Sequence, residues 1–99
     1  MTNPLSGKHR RFLKSLAQRM SAGATVGKAG LSEPVADRID TLLRDHELVK
    51  IRLAEGDRHS IAREIAERVG AELVTVIGRI AVFYRPNGDL PDNDRMSLP

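Results

Sequence analysis

The chain contains no cysteine and no tryptophan. Without thiols it can hold neither a disulfide framework nor a thiolate metal centre, and its redox compartment is left open. Aromatic residues are almost as scarce, Phe12, Phe83 and Tyr84 being the full set. Phe12 falls on an apolar helical stripe, so no exposed row of rings is available for stacking single-stranded bases. No apolar run has the length of a secretory signal or a membrane span, which makes a cytoplasmic protein without membrane contact the default expectation. The three histidines, His9, His46 and His59, lie in separate segments without metal-ligand spacing, and no nucleophile–base pairing stands out. An enzyme is therefore the weakest reading, and no cofactor or small-molecule substrate is expected.

Carboxylates are missing from one stretch in particular. Residues 1–32 hold Lys8, Arg10, Arg11, Lys14, Arg19 and Lys28 and no acid, a charge of +6, whereas the rest carries ten basic and thirteen acidic residues, a charge of −3. The net charge of +3 hides this division. Basic character gathered in the first third is what a polyanion-binding surface looks like in sequence. With 99 residues the chain makes one domain, long enough to bury roughly two-thirds of its extended surface.

The periodicities predict an α/β fold. Ser6 caps a first helix running to about Met20, with Phe12, Leu13, Leu16, Ala17 and Met20 on one arc and Lys8, Arg10, Arg11, Lys14 and Arg19 on the other. Gly23 fits a left-handed stop after it. A short strand, Ala24-Thr25-Val26, is followed by a loop and then by a second helix capped by Ser32, with Pro34 in its first turn. Asp37 and Asp40, one turn apart, read as its polar face, and Asp45-His46-Glu47 as the polar connection out of it. Leu48–Leu53 alternates with period two, which puts Val49, Ile51 and Leu53 on a core and Lys50 and Arg52 on an open basic face. A third helix spans about Arg58–Val69, with Glu64 and Arg68 at pairing distance in sequence. Two β-rich runs separated by Gly78-Arg79 make a hairpin. The resulting order is α-β-α-β-α-β-β, a four-stranded mixed sheet with three helices on one face, its first three strands parallel and the last antiparallel. The folded domain occupies residues 1–86, and Asn87–Pro99, rich in Pro, Asp and Asn, reads as a mobile acidic tail.

The loop Val26-Gly27-Lys28-Ala29-Gly30-Leu31 is the element around which a function is built. Two glycines flank a lysine in a strand-to-helix turn. Glycine lacks a Cβ and accepts positive φ, so the amides of Lys28, Ala29 and Gly30 are expected to face a ligand unscreened. The next helix adds its positive dipole end, which favours an anion. Helix one, Lys50 and Arg52 would extend this positive track.

Several separated segments together resemble a known family. Leu5-Ser6-Gly7-Lys8-His9-Arg10-Arg11-Phe12-Leu13, the loop Val26–Leu31, Asp45–Lys50, Gly70–Val74, Ile77-Gly78-Arg79 and Tyr84-Arg85-Pro86 are similar to the YhbY-type CRM (chloroplast RNA splicing and ribosome maturation) domain. The resemblance covers about residues 5–86. It implies a non-catalytic RNA-binding module, similar in fold to the C-terminal domain of bacterial translation initiation factor three, that acts on ribosomal RNA in precursors of the large subunit. It also implies that Gly27, Lys28, Ala29 and Gly30 contact RNA, together with neighbouring basic residues. The alternative is a protein-interaction adaptor that docks on a ribosomal or regulatory protein through the open sheet edge or face.

Overall fold

Three helices start at polar residues whose side chains accept an N–H from the first turn. Ser6 accepts from His9, Ser32 from Val35 and Asp57 from His59, each cap contributing about 1 kcal/mol. In the computed structural model, which describes residues 5–90, these caps open α1 (Gly7–Ala17), α2 (Glu33–His46) and α3 (Arg58–Val69). The strands are β1 (Ala24–Val26), β2 (Leu48–Leu53), β3 (Glu72–Ile77) and β4 (Ile80–Tyr84). The α-β-α-β-α-β-β order matches the one read from periodicity.

Helix α1 ends sooner than its apolar stripe suggests. The amides of Arg19 and Met20 donate to Leu16 and Ala17 three residues back, so the stripe runs on into a tighter, non-α turn. Gly23 is not a left-handed cap, since its φ is not positive. Its amide donates to the Lys50 carbonyl at 2.8 Å, and a Cβ at this position would lie 2.8 Å from Leu42 Cδ1. A side chain here would have to push the Leu42 side chain of α2 aside.

The sheet order is β1-β2-β4-β3, with β1 parallel to β2 and β4 antiparallel to both β2 and β3. Strands β1, β2 and β3 therefore share one direction, as right-handed crossovers through α2 and α3 require. The hairpin inserts its last strand, β4, between β2 and β3.

One expectation about layers is overturned. Helices α2 and α3 cover one face, where Val26, Ile39, Leu43, Val49, Ile51, Leu53, Ile65 and Phe83 form the larger core. Helix α1 lies on the opposite face, seating Leu13 and Ala17 on Leu48, Val74, Val82 and Tyr84. The handedness rule constrains only helices joining parallel strands, and α1 precedes the first strand. The run Ile80-Ala81-Val82-Phe83-Tyr84 carried the signal, because a strand apolar at every position is covered on both faces.

Candidate nucleic-acid interface

Gly27, Lys28, Ala29 and Gly30 form a tight turn closed by the Gly30 amide donating to the Gly27 carbonyl at 2.9 Å. Ala29 does not have positive φ, which places the turn in the type I rather than the type II class, with glycine in its favoured last position. Gly30 sits at φ 77, where a side chain is strained, whereas Gly27 is neither left-handed nor crowded. The expectation of three ligand-facing amides is thus narrowed, because the Gly30 N–H already closes the turn. Lys28 and Ala29 are exposed. The N-terminus of α2 differs from expectation as well: Glu33 occupies its first turn and pairs with Arg68. That carboxylate already answers the positive dipole end, leaving Lys28 as the loop's main attraction for an anion. The pairing also replaces the Glu64–Arg68 contact expected within α3.

The cations of the N-terminal third divide into two groups. Lys8, Arg11, Lys14 and Arg19 are exposed, as are Lys28 and Arg52. Among the described residues none of these six makes an ion pair or hydrogen bond with its side chain. Arg10 and Lys50 are half-buried and have internal partners. Arg10 Nη1 donates to the carbonyls of Leu73 at 2.6 Å and Val74 at 3.0 Å, where a register shift interrupts the β3–β4 ladder. Lys50 Nζ donates to Ala17 O at 3.0 Å and Met20 O at 3.2 Å, supplying a cation to the carbonyls at the end of α1. The expectation that Lys50 points into solvent from an uncovered sheet face fails because α1 covers that face. Arg52, one repeat further along β2, remains exposed and is the register partner of Thr25, two residues before Gly27. The loop and Arg52 therefore share one end of the sheet.

The polar connection after α2 holds a residue that composition did not reveal. Glu47 is 1% exposed and left-handed at φ 65. Its amide donates to Leu43 O, its carbonyl accepts the Arg85 amide, and its carboxylate accepts the Asn87 amide at 2.5 Å. The Asn87 side chain in turn donates to Arg44 O at 2.8 Å. Arg85 Nη1 bonds Asp40 Oδ1 at 2.8 Å and Val69 O at 2.6 Å. The hydrogen bond from Arg44, followed by that from Arg85, holds the Asp40 carboxyl below its ordinary value. Asp57 is lowered chiefly by the Ser60 hydroxyl, as suits an N-cap carboxylate. Asp40 therefore has a structural task on the polar face of α2. Of the expected tail, residues 87–90 are described and 91–99 lie outside the described residues. Among the described residues no group of three or more His, Cys, Asp or Glu side chains is placed to hold a metal ion. No helix among them is long and apolar enough to cross a membrane.

The candidate interface thus consists of a glycine turn at one end of an α/β sheet, with Arg52 at the same end, and of exposed cations on α1 that make no side-chain ion pair among the described residues. Residues 5–85 match the CRS1 / YhbY (CRM) domain, and the chain belongs to that family. It is similar to a Haemophilus influenzae protein named "RNA-binding protein", with 38% identity over 84% of this chain and 87% of the relative. The Bacillus subtilis "Probable RNA-binding protein YqeI" is 30% identical over 96% of this chain and 99% of its own. The solution structure of the hypothetical protein SAV1595 from Staphylococcus aureus superposes with a TM-score of 0.79 at 33% identity, covering 96% of this chain and 99% of that one.

Proposed function

We propose that this protein is a non-enzymatic RNA-binding factor of the cytoplasm that acts on ribosomal RNA in precursors of the large ribosomal subunit. The observation that carries the reading is the set of six exposed cations that have no side-chain partner among the described residues, Lys8, Arg11, Lys14, Arg19, Lys28 and Arg52. Unpaired cations release counterions when they meet phosphates, which drives association with nucleic acid. Gly27 and Gly30 shape the turn that presents Lys28 and the Ala29 backbone. Arg10 supports the interface by fixing α1 rather than by touching RNA, and two of the Lys50 N–H donors serve the same purpose. Family membership and the names of the relatives support RNA as the polymer.

Sedimentation tests the assembly role. In a low-salt sucrose gradient of cells accumulating precursors, the protein is expected with immature large subunits, away from translating ribosomes. Recovery only in the top fractions would overturn that role. Crosslinking followed by sequencing of the bound RNA identifies the site. A purified protein free of nucleic acid but holding a stoichiometric protein partner would favour the adaptor reading.

A further inference from the structure

Helix α1 covers only part of its side of the sheet. Beyond it lies a groove of about 320 Å³ between α1 and strands β2, β3 and β4. Ile77, Ile80 and Val82 supply apolar walls, while Lys14, Gln18, Lys50 and Thr75 supply the polar ones. Ile77 is 60% exposed, and among the described residues it stands as the exposed large apolar side chain. Among the described residues no carboxylate lines the groove. Arg52 is the register partner of Ile80 on β4 and of Thr25 on β1, so it stands between the groove and the Gly27–Gly30 turn. Two of the three Lys50 N–H donors are held by Ala17 O and Met20 O, and the third is left over.

We propose that this groove receives one unpaired nucleobase of a bound RNA, with the adjoining phosphates held by Lys14 on one side and Arg52 on the other. The proposal rests on the RNA-binding reading and names the chemistry of a second subsite within it. The size suits a single planar group, at the small end of ligand pockets. The apolar walls take the faces of a base, and the Gln18 amide and Thr75 hydroxyl can both donate to and accept from its edge. Charge selects the polymer, since RNA alternates flat apolar groups with anions and the groove has cations at its rim. Scarcity of aromatic residues does not forbid such a site: aliphatic side chains give up the stacking contribution but still remove the base from water.

The test compares two RNA hairpins of equal length, one fully paired and one with a single unpaired uridine, at one salt concentration. Wild-type protein is expected to prefer the second by about tenfold, the gain from burying roughly 55 Å² of apolar surface. Replacing that uridine by 4-thiouridine and irradiating should crosslink it to peptides containing residues 14–18 or 75–82. Ile77→Glu and the neutral Ile77→Asn, both at an exposed position, should lower the preference to about twofold or less, with an unchanged circular dichroism spectrum. Lys28→Ala should weaken both RNAs equally and leave the preference intact. Equal wild-type binding of both hairpins, or crosslinks confined to the Gly27–Gly30 turn, would overturn the subsite while leaving RNA binding standing. Failure to bind either hairpin would instead refute the RNA-binding reading itself.

Discussion

Arg10 and Lys28 are both cations of the N-terminal third, yet their replacement should give opposite phenotypes. Arg10→Leu removes two guanidinium hydrogen bonds to the carbonyls of Leu73 and Val74. Hydrogen bonds from charged donors are worth about 1.5–3 kcal/mol each when buried. This site is half-buried and β3 is an edge strand, so water can replace part of the loss. The expected cost is about 1–2 kcal/mol, which lowers Tm by roughly 5–15 °C in a domain of this size. Because the guanidinium is not proposed to touch phosphate, the slope of log affinity against log salt should keep its wild-type value. Lys28→Ala should show the reverse, with Tm unchanged and the slope reduced in magnitude by about 0.7–0.9. Thermal denaturation followed by circular dichroism and a salt titration of RNA binding read both quantities. A wild-type Tm with a reduced slope for Arg10→Leu would refute the division of the cations and return Arg10 to the RNA contact surface.

Gly30→Asp should bind RNA more weakly than Lys28→Ala, because it adds a carboxylate beside the lysine and strains a position held at φ 77; equal affinities would show that the turn geometry is irrelevant. Leu13→Ala, at a fully buried position under α1, should cost about 2–5 kcal/mol in denaturant unfolding, whereas a cost near zero would mean that α1 is not docked on the sheet. For Asp40, hydrogen bonds from Arg44 and Arg85 lower the folded pKa below the ordinary 3.8, so its stabilisation is full above the unfolded value and is lost as pH falls through the folded one. Asp40→Asn should therefore lower stability at pH 7 by at most about 1 kcal/mol, given the exposure of the pair, and the difference should shrink as pH falls through the folded value of Asp40; a difference that grows on acidification would contradict the sign. Measuring unfolding midpoints of the pair from pH 2 to 7 tests it.

Secondary structure was legible because each element carries its own punctuation. Ser6 and Ser32 sit where the caps are, Gly70 terminates α3 in a left-handed conformation, and β2 alternates from Val49 to Leu53. Strand directions followed from handedness. What escaped was long-range. Nothing local in Arg10 or Lys50 shows that their head groups meet carbonyls 63 and 33 residues away. On a helical wheel Arg10 looks like its solvated neighbours Lys8 and Arg11, since tertiary contacts alone separate them. Lys50 looked solvent-facing because the alternation of β2 suggested one covered face, although the unbroken apolar run in β4 pointed to two. Glu47 is a similar case. A buried glutamate in a left-handed turn is recognised only once Asn87 and Arg85 return to it. The Gly27–Gly30 turn was found by residue type and spacing, but whether a given amide faced outward depended on a hydrogen bond that spacing does not encode.

The salt dependence of RNA affinity tests the central claim most directly. If Lys8, Arg11, Lys14, Arg19, Lys28 and Arg52 each neutralise a phosphate, the slope of log affinity against log salt for a structured RNA should have a magnitude of about 4 to 5. Replacing these residues singly by alanine should lower it stepwise, while Arg10→Leu leaves it unchanged. A slope near zero in the wild type, or one indifferent to all six replacements, would contradict the account.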